Sequence, residues 1–333
     1  MVEKGSAPVV DGGRLIRAVN EMLDADPMID EFGIIFSDGP VSIDDALAAS
    51  GSSSDHTARA DDVAGAVIAV EHKMALAQWC LPSLLTAALG SINTAKQSQK
   101  WWEDPALGQR MNWASRAALL VAADNGTVWN YRKRLVETSH VHMEEELRFA
   151  ALVQSKHPKS FDLWAHRRWL LRDIETLSPE AAKRELDQCD RAAALYRKNY
   201  NSFSHRLWVV QKMDEKQLEG ARERAWEIAR RHVSDSAAQT FRASLLAERV
   251  RRISLPLSHA AAEDGTRKIA VAAALVAEEL ATTRALMEDF PGHDSLWTPL
   301  RGLFQQAWTL ALLVPCQATP TAPGPASAGP GPA

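Results

Sequence analysis

Cysteine is scarce in this 333-residue chain: Cys80, Cys189 and Cys316 stand far apart, with no Cys-x-x-Cys pair. That excludes a disulfide framework and a cysteine zinc site, and a reducing cytoplasm is the expected compartment. Long apolar runs are also missing. The longest, such as residues 269–277, falls far short of the roughly 20 residues a membrane-spanning helix needs. The opening MVEKGSAPVVDGG has no apolar core, so no signal peptide is read there. There is no GxSxG elbow, no P-loop and no glycine-rich phosphate cradle, so the chain is not expected to catalyse a reaction by itself. A net charge of -4 argues against a phosphate-coating surface, and nucleic-acid binding is set aside. Alternating β-branched runs are few, whereas Ala, Leu, Arg and Glu are abundant, which favours an all-α chain.

What the chain does have is a repeated motif. HPKSFDLWAHRRWLL, from His157 to Leu171, returns as RKNYNSFSHRLWVV from Arg197 to Val210. In the two stretches Lys159 matches Lys198, Phe161 matches Tyr200, Trp164 matches Phe203, His166 matches His205, Arg167 matches Arg206 and Trp169 matches Trp208. Upstream, NGTVWNYRKRLV (125–136) puts Trp129 and Arg132 in the same slots, with Tyr131 in place of His. Downstream, SDSAAQTFRASLL (234–246) keeps Arg242 but has Gln239 in the aromatic slot, and HDSLWTPLRGLF (293–304) keeps Trp297. The slots at 129, 164, 203, 239 and 297 are 35, 39, 36 and 58 residues apart. Such a period is that of stacked helical hairpins, each burying its apolar face against its neighbours. The expected fold is therefore an all-α solenoid, a right-handed α-α superhelix of about five hairpins.

Taken in order, residues 1–36 read as an N-terminal helix over 14–24, closed by Asp26-Pro27, followed by EFGIIF as an extended docking segment. Residues 37–61 read as a flexible linker around GSSSD, and 62–314 as the helical repeat domain. Within it, Asp62 to Gly90 reads as a helix broken near Pro82, followed by a loop-like stretch up to Pro105. Asp104-Pro105 and Ser178-Pro179-Glu180 read as helix starts. Residues 249–267 read as an insertion that lengthens the last interval, and 315–333 as a disordered Pro/Ala/Gly tail.

Within the motif, Phe161 and Trp164 follow a helical step and are expected on one face. His166 and Arg167 are expected at a partly wet boundary, pairing with a carboxylate or free helix carbonyls. Lys159 and Lys198 sit at predicted helix starts, where the helix dipole favours anions. Each is readable either as a solvated surface lysine or as a diphosphate contact. His140-Val-His142 with Glu144, Glu145 and Glu146 is read as a solvated acidic face rather than a metal site.

These motifs resemble those of the protein prenyltransferase α subunits, whose repeats look like PKNYxxWxHRxW; the likeness covers about residues 105–310. The resemblance implies a crescent of helical hairpins wrapping a separate β subunit, with the catalytic zinc and the isoprenoid pocket on that partner. It implies a diphosphate contact at Lys159 and a role for Tyr200, while Phe161 stands where the family has a tyrosine. It further implies a geranylgeranyltransferase built with a Rab-type β subunit, acting on proteins with C-terminal cysteines. The alternative is a non-catalytic α-solenoid that binds another protein, its motif purely structural.

Overall fold

A computed structural model of the chain describes residues 10–42, 58–60, 63, 65–196, 198–254 and 262–313. Two compact units are formed, one through Gln217 and one from Leu218 onward. Among the described residues there are twelve α-helices and one four-stranded sheet. The proposed tail at 315–333 and the GSSSD centre of the proposed linker lie outside the described residues.

The first unit opens with α1, Gly12–Ala25, capped by Asp11, whose side chain accepts from the Gly13 N–H. Leu15, Ile16, Val19 and Met22 recur at helical spacing and are buried in the main core. EFGIIF does dock in extended form: β1 (Glu31–Ile35) pairs in parallel with a later strand, and the Phe32 N–H donates to Ser155 Oγ at 2.8 Å.

The sheet itself departs from the expectation. β2 (Ala58–Ala60) falls at the end of the stretch read as linker. β3 (Val67–Val70) and β4 (Lys73–Ala77) replace the first half of the expected helix over 62–90. The strand order is β1-β4-β3-β2, with β3 antiparallel to both its neighbours. Val67–Val70 is buried throughout, so it lacks the in/out alternation that marks a strand in sequence. Glu71, at φ 54°, turns the chain between β3 and β4. Pro82 does not break a helix but opens one, α2 (Leu81–Ala95), in whose first turn no N–H is lost. That helix also takes up residues 91–95 of the stretch read as a loop.

The repeat pairs then follow. They are α3 (Pro105–Val121) with α4 (Gly126–Glu137), α5 (Met143–Lys156) with α6 (Phe161–Leu170), and α7 (Pro179–Leu195) with α8 (Tyr200–Gln211). α9 (Glu215–Arg231) pairs with α10 (Ser236–Ser254), and α11 (Ala262–Asp289) with α12 (Trp297–Leu313). Asp104 and Ser178 cap α3 and α7 as expected, the first accepting from Ala106 N and Leu107 N, the second from Ala181 N. Of the insertion expected over 249–267, residues 249–254 complete α10 and 262–267 open α11, while 255–261 lie outside the described residues; the described part of the long last interval is longer helix. α11 has 28 residues and α10 has 19, against 17 and 12 for α7 and α8.

Candidate functional site

Each motif helix in the first unit is anchored at its start in one way. Asn125, Ser160 and Asn199 are N-caps whose side chains accept from Val128 N (3.2 Å), Leu163 N (3.3 Å) and Ser202 N (3.3 Å). Two residues before each of the first two caps, a carbonyl takes two further donors. Ala123 O receives Trp129 Nε1 at 2.8 Å and Ser160 Oγ at 3.2 Å. Pro158 O receives Trp164 Nε1 at 2.9 Å and Asn199 Nδ2 at 2.8 Å. One oxygen therefore locks the indole of its own repeat and the cap of the next, which fixes the stacking register.

The His-Arg pair continues this register inside the core. Arg132 Nε donates to Glu146 Oε1 at 2.7 Å, and its remaining nitrogens reach Glu146 Oε2, Asn112 Oδ1 (3.1 Å) and Ser115 Oγ (2.9 Å). His166 Nε2, from the following repeat, lies 2.7 Å from the same Glu146 Oε1. One repeat later the arrangement recurs. Arg167 holds Glu185 at 3.1 and 2.5 Å, and His205 Nε2 lies 2.9 Å from Glu185 Oε2. Each imidazole is also layered between indoles. His166 lies 4.5 Å from Trp129 and stacks on Trp169 at 5.7 Å, while His205 lies 5.0 Å from Trp164 and stacks on Trp208 at 5.5 Å. The expected partly wet boundary is thus a buried one: Arg132, His166, Arg167, His205, Glu146 and Glu185 are all inside. Glu146 belongs to this core and not to a solvated acidic face.

Burial alone would raise the Glu146 carboxyl, but the Arg132 charge and the hydrogen bonds from His166 and Arg132 hold it at about 2. Glu185 is held at about 2 against the same burial by Arg167 and His205. The histidines shift the other way: burial lowers both, only partly opposed by their glutamates. Both are therefore neutral at pH 7, with the proton on Nε2 facing the carboxylate. Their Nδ1 atoms have no hydrogen-bond partner.

The pattern fades where the motif does. Arg206 turns back to Asp190 of its own repeat, with Phe203 beneath it at 5.5 Å. In the second unit, Arg242 pairs with Glu279 and donates to Thr283 Oγ1 at 2.7 Å. Gln239 is buried and donates to Ala229 O at 2.8 Å. Trp297 is 52% exposed.

The carboxylates were the residues that motif reading missed, yet the sequence carries their signal. Glu146 and Glu185 each stand twenty residues before the histidine they meet. Where the His slot holds Tyr131 or Phe241, the position twenty residues earlier holds Met111 or Ala221.

Around the starts of α6 and α8 lies a different surface. Lys159 is exposed, its Nζ 4.4 Å from the centre of the Tyr196 ring, and its carbonyl accepts from Asn201 Nδ2 at 2.8 Å. Phe161 is 62% and Tyr200 80% exposed, so Phe161 does not share the buried setting of Trp164. Lys198, also exposed, has a left-handed φ of 59° just before the Asn199 cap. The structure thus brings Lys159 and the N-terminal turn of α8, with Tyr200, to one edge. Among the described residues no group of three His, Cys, Asp or Glu side chains could hold a metal ion, and no helix is long and apolar enough to cross a membrane.

The family described as protein prenyltransferase alpha subunit repeat matches residues 143–174 and 182–213. Each window holds one Glu–His pair and the arginine beside it. The chain carries protein prenyltransferase alpha subunit repeats. It is similar to protein prenyltransferase alpha subunit repeat-containing protein 1 of Danio rerio, 29% identical over 276 residues, covering 72% of this chain and 63% of the relative. The Homo sapiens protein of that description is 27% identical over 278 residues, covering 72% and 68%. The chain thus spans about two thirds of the length of these repeat proteins. A shorter likeness joins it to the geranylgeranyl transferase type-2 subunit alpha of Candida albicans, 25% identical over 108 residues, or 29% of each chain.

Proposed function

We propose that this chain is the α subunit-like half of a protein geranylgeranyltransferase. It pairs in the cytoplasm with a β subunit of the Rab geranylgeranyltransferase type and supports isoprenoid transfer to C-terminal cysteines of proteins. The observation that carries this reading is the exposure of Lys159, Phe161 and Tyr200 at the starts of α6 and α8. The two aromatics are 62% and 80% exposed on helices whose other large motif residues are buried or half-buried. An exposed cation at the start of one helix, tied through its carbonyl to Asn201 in the first turn of the next, suits a diphosphate presented by a second polypeptide. In this role the Lys159 ammonium stabilises charge on the departing diphosphate, and the Tyr200 hydroxyl donates a hydrogen bond to it. Catalytic zinc and the isoprenoid pocket are assigned to the β subunit, where the metal would hold the acceptor cysteine as thiolate.

A second reading is a pure protein-binding scaffold. It is favoured by Phe161, which has no hydroxyl to offer a diphosphate. Co-expression of the full chain with a Rab-type β subunit tests the proposal. A one-to-one complex that weakens when Phe161→Ala and Tyr200→Ala are combined supports it. Failure of every such β subunit to bind, with the chain folded, contradicts it.

A further inference from the structure

The second unit presents an apolar face that the repeat packing leaves uncovered. One side of α12 packs on α10 and α11 through Leu303 and Leu310, both buried. The opposite side carries Trp297, Phe304, Trp308 and Leu312, which are 52, 60, 69 and 70% exposed. With Arg301, also exposed, they fall within about 80° of arc on a helix of 3.6 residues per turn, one continuous stripe.

In the first unit the equivalent indoles are covered: Trp129 lies against His166 and Trp164 against His205 of the following repeat. Trp297 occupies that slot and is half open. Large side chains of this kind each expose on the order of 100–170 Å² at these fractions, together roughly 500 Å². That is at the upper end of what a monomer leaves in one patch. It is also most of the ~800 Å² per partner that a stable interface uses. A stacked array exposing an apolar terminal face is poorly soluble unless something caps it.

We propose that this stripe joins two copies of the chain through a two-fold axis, α12 against α12, antiparallel. The register of the stripe itself points to this occupant. Its residues are placed symmetrically about a point between Phe304 and Gln305, so that an antiparallel copy sets Trp297 against Leu312, Arg301 against Trp308, and Phe304 near its own counterpart. The one charge on the stripe then meets an indole face, a cation–π contact, and not a second arginine. A parallel arrangement would set Arg301 beside Arg301. Surface self-complementarity of this type is what a closed two-fold dimer requires.

The test uses the full chain carrying Cys316→Ser. Sedimentation between about 1 and 100 μM should show a monomer–dimer equilibrium with a Kd on the order of 10 μM. Trp308→Glu should weaken it at least about a hundredfold, as loss of a central aromatic does, with the circular dichroism spectrum unchanged. Under mild oxidation, Gln305→Cys should give a covalent dimer and Thr298→Cys should not, because only position 305 lies near the axis. A chain that stays monomeric throughout overturns the proposal. So does a dimer that survives Trp308→Glu, cross-linking at position 298 instead of 305, or a stripe protected by a β subunit in place of a second copy.

Discussion

His205 lies 2.9 Å from a carboxylate oxygen of Glu185, twenty residues earlier in the chain, and that carboxylate is already held by Arg167 of the preceding motif helix. One acidic group thus ties two consecutive repeats together, and Glu146 does the same for Arg132 and His166. The repeated Trp, His and Arg are parts of this internal register. The exposed edge at Lys159 and Tyr200 is what the register holds in place.

Removing one partner of a buried pair leaves the other charge uncompensated. Glu185→Ala should therefore destabilise the first unit by about 3–5 kcal/mol. Asp187→Ala, two residues away and facing Lys183 in an exposed pair, should cost under about 1 kcal/mol. Urea midpoints of the two variants check the contrast; equal effects would show that Glu185 is not the tie described.

Protonation gives an independent readout. The folded-state pKa of both buried histidines is lowered by burial from the usual 6.5. Below 6.5 the unfolded chain takes up protons that the folded chain refuses. Their contribution is complete above 6.5 and is lost as pH falls, with a slope up to about 1.4 kcal/mol per pH unit for each. Glu146 and Glu185, held at about 2 in the fold against 4.5 otherwise, contribute fully above 4.5 and lose that contribution between 4.5 and 2. Urea midpoints at pH 7, 6 and 5 should fall, and His166→Asn with His205→Asn should flatten the fall. An unchanged pH profile in that double variant would contradict neutral, buried imidazoles.

The Asn199 side chain caps α8 through Ser202 N and also donates to Pro158 O. Asn199→Ala removes both contacts and should cost about 2 kcal/mol, more than a cap alone. Asn199→Asp keeps the cap but puts a carboxylate against a carbonyl, so it should not restore full stability. Denaturation of the two variants decides whether the link to Pro158 matters.

A backbone test bears on the sheet that the motif gave no hint of. Gly65 has φ +67°, and a Cβ there would come within 2.1 Å of Val41 O. Gly65→Ala should destabilise by more than about 1 kcal/mol, since both the conformation and the space oppose a side chain. A neutral effect would argue against the turn leading into β3.

Much of this molecule was legible in its sequence, for identifiable reasons. Helix starts at Asp104 and Ser178 were written in their capping chemistry, and the hairpin period followed from Trp129, Trp164 and Phe203. The strands were hidden because Val67–Val70 is buried on every residue and offers no alternation. Residues 249–254 read as a break because Arg251 and Arg252 interrupt the apolar pattern while remaining helical; both pair with Glu248 one turn back. Glu146 and Glu185 escaped notice because a charged residue on a polar-looking helix reads as solvent-facing until its partner twenty residues on is placed. Lys159 and Tyr200 were visible only as slots in a motif, and their exposure needed the fold.

Isoprenoid transfer in a reconstituted mixture tests the proposed pairing and the role of Lys159 together. The full chain, a Rab-type β subunit, labelled geranylgeranyl diphosphate and an acceptor protein ending in cysteine are combined, with each chain omitted in turn. Transfer should require both chains, and Lys159→Ala should lower the rate about ten- to a hundredfold without changing the urea midpoint, as loss of a charge that stabilises the leaving group does. Transfer by the β subunit alone at the same rate, or a Lys159→Ala rate equal to the parent's, would contradict the proposal.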